Sequence, residues 1–281
     1  MSTTSHQLII HLVFAVSISL LLILIIIYPF LPGGYDSLAL PLSTIIQVVS
    51  VIGIVFVPMG ILWVMRPQSI YSIARAISIT GILIAIIVSV LAISTVGFSF
   101  AFLTALIWIG IGLRIRKWLH SLKHQTPSHV HPFALYLIVI PLLLVASQFL
   151  FARPLTEWGR NQAIMNSQEF IEDIEAYHAK HGTYPVSLIA QWKDYDPNVV
   201  GVEKYHYAPQ GDSYNFFFEQ PRFFFEDIGI HEWVVYNPKG EHRMYSHTAW
   251  MLQSPEELER SQGWYSSHNT PHPNWKYFLF D

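Results

Sequence analysis

The fold is decided by the stretch FALYLIVIPLLLVASQFLFARPLTEWGR, residues 133–160, in which an apolar run changes to polar sequence at Arg153. The first 20 of these residues carry no charge, and about 20 apolar residues suffice for a helix to cross a bilayer. Up to Ala152 the chain has six Lys/Arg and one acid, and from Arg153 onward it has ten Lys/Arg and eighteen acids; the net charges of +5 and −8 sum to the −3 of the whole chain. The sequence therefore predicts a membrane domain over residues 1–152 and a soluble domain over residues 153–281.

The composition of the whole chain supports this division and excludes several classes of site. Charged residues make up 12% of the chain, against about 25% in an average soluble domain. The chain has no cysteine, which excludes disulfides, thiolate metal sites and a cysteine nucleophile. The acidic second half predicts no nucleic-acid partner, and the lack of a phosphate loop or dinucleotide fingerprint predicts no cofactor.

Uncharged apolar runs predict an α-helical bundle of five membrane spans. The 38 residues between Arg75 and Arg114 contain no charge. A single helix of that length would measure about 57 Å, almost twice the thickness of the hydrocarbon layer, so we predict two spans there with a turn near residues 94–97. The predicted spans are residues 8–30, 44–65, 76–94, 97–113 and 133–152.

The basic residues of the membrane domain predict its orientation. With five spans, all of them lie on the side of the N-terminus, and the two loops on the other side contain no Lys or Arg. The positive-inside rule then predicts a plasma-membrane protein with a cytoplasmic N-terminus and a periplasmic or extracellular C-terminal domain. The six residues are Arg66, Arg75, Arg114, Arg116, Lys117 and Lys123.

The larger polar side chains within the spans are few. They are His11, Gln47 and Gln148, and no acid is present for a proton relay. We therefore interpret the bundle as an anchor or a partner-binding bundle, with a transporter component as an alternative.

The soluble domain begins with a helical pattern followed by short strand patterns. Ile164, Ile171 and Ile174 share one helix face, Gly182 is placed as a C-terminal cap, and Pro185 follows as a stop. We expect this helix to continue from the last span, with a break or kink near residue 154. The pattern predicts an α+β domain with strands at 203–207, 214–220, 223–225, 232–236, 244–246 and 275–280, and a loop over 248–274 with a short helix near 255–260.

The soluble domain resembles type IV pilins and type II secretion pseudopilins over residues 168–220, which begin QEFIEDIEAYHAKHGTYPVSLIAQW (168–192). Tyr177, Gly182, Tyr184 and Pro185 match the Tyr…Gly-x-Tyr-Pro segment at which the long helix of that family ends. The run KYHYAPQGDSYNFFFE (204–219) resembles the first hairpin of the family. The resemblance implies a pilin-like fold, in which a long helix packs on an antiparallel sheet. Four predicted spans precede this helix and no leader motif is present, so the resemblance does not imply processing or fibre assembly.

Histidine residues of the soluble domain are the candidates for metal ligands. We favour surface or hydrogen-bonded histidines, because no helix fixes their spacing. The pair His231 and Glu232 begins like a zinc-protease motif, but Val235 occupies the position of the second histidine. We predict no catalytic residue, and the weak metal candidates are His242, His247, His268 and His272.

Two phenylalanine triplets are the candidates for an interaction surface. Three consecutive aromatic residues in a strand place aromatic surface on both faces of the sheet. Either the chain itself buries them, or they contact a protein or the bilayer surface, or Trp250, Trp264 and Trp275 stack on sugars. The six residues are Phe216, Phe217, Phe218, Phe223, Phe224 and Phe225.

Together these patterns predict a membrane protein that presents its outer domain for binding, as a subunit or scaffold of a cell-envelope assembly. The expected partners are the lipid bilayer and either another protein or a second copy of the chain. The alternatives are a membrane-bound extracytoplasmic hydrolase or metal-dependent enzyme, and a transporter component.

Overall fold

The computed structural model describes residues 3–66, 69–96, 131–187, 195–226, 230–245, 252–254 and 265–280, and residues 110–120 except 112, 116 and 118. A 3-10 helix, Tyr28–Phe30, follows the first α-helix. The α-helices are α1 (Thr3–Ile27), α2 (Ala39–Ile54), α3 (Val57–Met65), α4 (Ile70–Val96), α5 (Phe133–Asn166) and α6 (Gln168–His181). The strands are β1 (His206–Gln210), β2 (Ser213–Gln220), β3 (His231–Tyr236), β4 (Met244–Tyr245), β5 (Leu252–Gln253), β6 (Tyr265–Asn269) and β7 (Trp275–Phe280).

Within the described residues, two helices are long and apolar enough to cross a membrane: His6–Phe30 and the 49-residue path Phe133–His181. Helices α2 and α3 together make a third candidate if the pair forms one bent span. The span predicted at 44–65 corresponds to α2 and α3, which meet at an angle of 46°. Pro58 lies in the first turn of α3, where a proline starts a helix but donates no hydrogen bond backward.

Two of the five predicted spans are not among these candidates. The span predicted at 76–94 lies within the 27-residue helix α4, of which Tyr71–Ile84 forms a shorter apolar stretch among the described residues. The span predicted at 97–113 lies outside the described residues except for residues 110, 111 and 113.

Helix α5 runs without interruption through Pro154, so there is no break of the helix at this proline. Pro154 lacks an N–H donor and its ring crowds the carbonyl one turn earlier, yet the helix continues through it. The interruption lies instead at Ser167, between α5 and α6. The N–H of Ser167 still donates to the carbonyl oxygen of Ala163 at 3.2 Å, so the chain continues into α6 in nearly helical form.

The sheet is antiparallel and has five strands in the order β1-β2-β3-β7-β6. β1 and β2 are joined by a two-residue hairpin loop, in which Gly211 adopts a positive φ of 61°. This short loop lets β1 extend to Gln210, and β1 begins three residues later than predicted. Residues 223–225 follow Pro221 and lie outside any strand, which corrects the strand predicted there. β5 and β6 correct the loop predicted over 248–274, whereas the helix predicted at 255–260 lies outside the described residues.

The core of the sheet domain lies between one face of the sheet and α6. Tyr214, Phe216 and Phe218 alternate along β2 and pack in one cluster with Phe170 and Ile174 of α6. A smaller cluster on the opposite face contains Ala208, Phe217, Val235 and Phe278. The predicted combination of helix and antiparallel sheet in this domain is therefore confirmed.

Contacts divide the chain into two compact units. One contains Met1–Ser19 and Ser50–Leu143, and the other contains Leu20–Val49 and Leu144–Asp281. The sheet thus shares its unit with residues 20–49, a segment that the sequence assigns to the membrane domain. The site described below lies wholly within this second unit.

Candidate functional site

The six residues that follow β2, PRFFFE at positions 221–226, form a loop that we call the aromatic loop. The ring of Phe223 is buried and stacks on Phe30 of the 3-10 helix, with centroids 4.6 Å apart. The ring of Phe225 stacks on Phe149 of α5 at 6.1 Å. The N–H of Phe224 donates to the side-chain oxygen of Gln47 in α2 at 2.9 Å. Three consecutive residues therefore join the sheet to three different helices of the same unit.

A set of four charged side chains, which we call the charge cluster, lies beside the aromatic loop. It consists of Arg160, Arg222, Glu226 and Glu232. The carboxylate of Glu232 is fully buried and accepts from Arg160 and from Arg222, each at 2.5 Å. Arg222 also lies 3.8 Å from Glu226. The two positive and two negative charges balance, as buried ions require.

Neighbouring side chains complete the charge cluster. The guanidinium carbon of Arg160 lies 3.9 Å from the ring centroid of Tyr277, a distance at which a cation is attracted to the ring face. Thr156 lies one helical turn before Arg160 and donates to Glu226 at 3.0 Å. The cluster therefore connects α5, the aromatic loop, β3 and β7.

Two glycines permit the close approach of these elements. A Cβ on Gly159 of α5 would lie 3.1 Å from the side-chain nitrogen of Gln220. A Cβ on Gly201 would lie 2.8 Å from the carbonyl oxygen of Pro29, to which the Gly201 N–H donates at 2.7 Å. A side chain at position 201 would displace the backbone of the 3-10 helix, whereas one at position 159 would require the end of the Gln220 side chain to shift.

The residues of the Tyr…Gly-x-Tyr-Pro segment tie the end of α6 to the sheet. Gly182 has a left-handed φ of 75°, and its N–H donates to the carbonyl oxygen of His178 at 2.8 Å, which confirms the predicted helix end. Tyr184 stacks on His178 at 4.1 Å, and the carbonyl oxygen of Pro185 accepts from Tyr207 at 2.8 Å. The ring centroids of Tyr177 and His181, one turn apart on α6, lie 4.1 Å from each other.

Glu175 of α6 joins the two tyrosines nearest to this motif. Tyr214 donates to one carboxylate oxygen of Glu175 at 2.9 Å and Tyr184 to the other at 3.4 Å. Burial, and then the negative charge of Glu175, raise the pKa of both hydroxyls. Both therefore remain protonated donors over the physiological range of pH.

The phenylalanines predicted as an interaction surface divide into two groups. Phe216, Phe217 and Phe218 are at most 4% exposed, so the chain itself buries the first triplet on both faces of the sheet. In the second triplet, Phe223 is buried, whereas Phe224 and Phe225 are half-buried. Only these last two rings keep surface that another molecule can reach.

The predicted metal candidates lie apart from one another. His242 is 3% exposed, and its Nε2 lies 2.8 Å from the carbonyl oxygen of Asn274. His272 lies 3.2 Å from Asn161, and the exposed His268 stacks on Tyr277 at 4.8 Å. His247 lies outside the described residues. Within the described part of the chain, no group of three or more His, Asp or Glu side chains is placed to hold a metal.

Neither the charge cluster nor the role of Gln47 was predicted from the sequence. One signal was available, because Glu232 alternates with Val234 and Tyr236 and therefore shares their face of β3. An acid on that face indicates a buried cationic partner. No local pattern in the sequence identifies that partner as Arg160, which precedes Glu232 by 72 residues.

Comparisons of this chain with protein-family models, curated proteins and solved structures find no match.

Proposed function

We propose that this chain is a membrane-anchored binding protein, which holds its outer domain in a fixed orientation as a subunit or scaffold of a cell-envelope assembly. The observation that carries the proposal is the joint between sheet and helices, in which the aromatic loop contacts Phe30, Gln47 and Phe149. Domains move relative to one another by default unless a large apolar interface fixes them. A fixed orientation serves a protein that must present a surface to a partner at a defined position.

The proposed topology has five spans, a cytoplasmic N-terminus and a periplasmic or extracellular sheet domain. The distribution of the six basic residues supports it, since a five-span path places them all on one side. We include a pilin-like arrangement of the outer domain in the proposal. The packing of α6 on the sheet and the contacts of Tyr184 and Pro185 support it.

Reporter fusions test the topology and the number of spans separately. A periplasmic phosphatase fused after Asp281 should be active, and one fused after Lys123 inactive. A phosphatase inserted at residue 97 should be active if α4 and the following segment both cross the membrane. An inactive insertion at residue 97 would reduce the count to three, and an inactive fusion after Asp281 would overturn the orientation.

Native mass measurement tests the binding role. The tagged full-length chain is cross-linked in its own membrane, extracted in a gentle detergent and weighed in its native state. We expect a complex of fixed stoichiometry with another protein or with a second copy. A single chain of 32.2 kDa with no cross-linked species would contradict the proposal.

A further inference from the structure

Helix α5 supplies a scale for the depth of the aromatic loop in the bilayer. Along this helix the exposed side chains change from Phe149 and Leu150, which are 74% and 68% exposed, to Arg153, whose side chain is 84% exposed. An exposed charge on a spanning helix reaches for the headgroup layer, so the edge of the hydrocarbon lies near Arg153. Phe149 precedes Arg153 by four residues, about 6 Å deeper along the helix axis. Phe225 stacks on Phe149 and therefore lies on the hydrocarbon side of that charge.

Helix α2 gives a second and independent scale. Gln47, which accepts from the N–H of Phe224, lies eight residues after the start of α2 at Ala39, or about 12 Å along the helix. The surface of α2 around Gln47 is apolar, because Leu42, Ile45 and Val49 are each 48–59% exposed. The aromatic loop thus lies beside the apolar part of α2 rather than above its end.

The hydrogen bonds of the loop fit this depth. Irregular backbone at membrane depth requires that its polar groups be satisfied within the protein. Gln47 satisfies the N–H of Phe224, and the carbonyl oxygen of Phe223 accepts from the N–H of Glu226 at 3.1 Å. Gln47 is itself fully buried, and its Nε2 donates to Ser43 at 2.9 Å. These two hydrogen bonds explain why the polar side chain of Gln47 lies in the otherwise apolar helix α2.

Exposed tyrosine and tryptophan residues follow the apolar stretches of α1 and α5 in this unit. Tyr28 is 40% exposed, Tyr35 46% and Trp158 37%. Tyrosine and tryptophan are enriched where a protein passes through the headgroup region. Tyr28 and Tyr35 belong to the connection between α1 and α2, and Trp158 belongs to α5.

From these relationships we propose that the aromatic loop is inserted into the lipid, with Phe224 and Phe225 at the boundary between headgroups and acyl chains. The occupant of this surface is the bilayer itself, because Phe225 stacks on Phe149, which belongs to the exposed apolar surface of α5. The sheet domain is then seated in the membrane surface, rather than held above it by a stalk. This inference rests on the two apolar helices and not on the proposed binding role.

Spin labels on single cysteines test the depth directly, because the native chain contains no cysteine. The full-length chain is reconstituted in vesicles of phosphatidylcholine and phosphatidylglycerol, with a nitroxide at position 225 (Phe225→Cys). Phe149→Cys serves as the lipid-facing control, and Val186→Cys, at a residue 88% exposed, serves as the aqueous control. We expect oxygen to collide with the label more often than a nickel chelate at 149 and 225, and the reverse at 186. A nickel preference at 225 equal to that at 186 would overturn the proposal.

Two further measurements keep the test decisive. If Phe225→Cys does not fold, Phe224→Cys carries the label instead. The unmodified chain can also be photolysed in vesicles whose acyl chains carry a diazirine, and the adducts mapped by mass spectrometry. We expect adducts on residues 223–225 as well as on 149–151, and adducts on 149–151 alone would contradict insertion. Loss of oligomers in the native mass measurement would leave these results unchanged, so the two proposals fail separately.

Discussion

Arg160 of α5 and Glu232 of β3 form an ion pair of 2.5 Å in which the two side chains are 8% and 0% exposed. Removing one partner of a buried pair leaves the other charge without compensation. The Glu232→Gln substitution preserves size but leaves both Arg160 and Arg222 without their shared carboxylate. We expect a loss of about 3–5 kcal/mol in the free energy of unfolding, measured by denaturant titration in detergent.

An exposed pair on the same helix provides the control. Arg153 and Glu157 lie one turn apart, with side chains 84% and 49% exposed. Solvent screens such a pair, so Glu157→Gln should leave the unfolding curve nearly unchanged. Equal losses for the two substitutions would show that Glu232 does not compensate the arginines in solution.

Gln47 is expected to stabilise the joint through its acceptor oxygen. The Gln47→Leu substitution retains most of the volume but leaves the N–H of Phe224 without a partner in apolar surroundings. An unsatisfied buried donor costs about 1–3 kcal/mol, and we expect a loss of that size in the free energy of unfolding. The same substitution at the exposed Gln168 should change it by less than about 0.5 kcal/mol. A loss at Gln168 as large as that at Gln47 would show that the hydrogen bond from Phe224 to Gln47 does not account for the loss of stability.

Stability should fall in mild acid because of His242 and His206. Burial lowers the pKa of both imidazoles below the ordinary value of 6.5. For His242, Lys276 lowers the pKa further, whereas hydrogen bonds to the carbonyl oxygens of Asn274 and Gly240 raise it. For His206, Lys204 lowers the pKa further, whereas the carboxylates of Glu203 and Glu219 raise it. Between the lowered native pKa and about 6.5, the unfolded chain binds more protons than the folded one. The contribution of the two neutral histidines to the free energy of unfolding is therefore intact above pH 6.5 and is lost as the pH falls below 6.5.

Melting temperatures between pH 7.5 and 5.5 measure this dependence. The wild-type chain should melt at a lower temperature as the pH falls, and the double variant His206→Gln with His242→Gln should show a weaker slope. An identical slope in the two proteins would assign the acid sensitivity to other groups.

The parts of the fold that could be predicted depend on signals local in the chain. Trp275–Phe280 was predicted as a strand with the bounds that the structure has, and Gly182 with Pro185 correctly predicted the end of α6. β6 was missed because its sequence YSSHN is polar and does not alternate. The register of β1 depends on the backbone conformation of Gly211, which residue types alone do not determine.

The candidate site was less predictable, because distant residues make it. Gln47 and Phe224 are 177 residues apart, and neither residue carries a motif. Residues 216–218 place aromatic rings on both faces of β2, as predicted, whereas residues 223–225 lie in a loop and not in the predicted strand. Which of their rings stay accessible depends on how the chain packs, and residue types alone could not separate Phe217 from Phe225.

Gly182 provides a test of the helix end that is independent of any side-chain contact. Its φ of 75° is left-handed, and a Cβ at this position would meet nothing within 4 Å. The Gly182→Ala substitution should therefore cost only the backbone strain of a left-handed alanine, about 1–2 kcal/mol in the free energy of unfolding. Gly34→Ala is the matched control, since Gly34 is not among the positive-φ glycines and its nearest neighbour to a Cβ lies at 3.9 Å. A cost at Gly34 equal to that at Gly182 would mean that the left-handed cap does not determine where α6 ends.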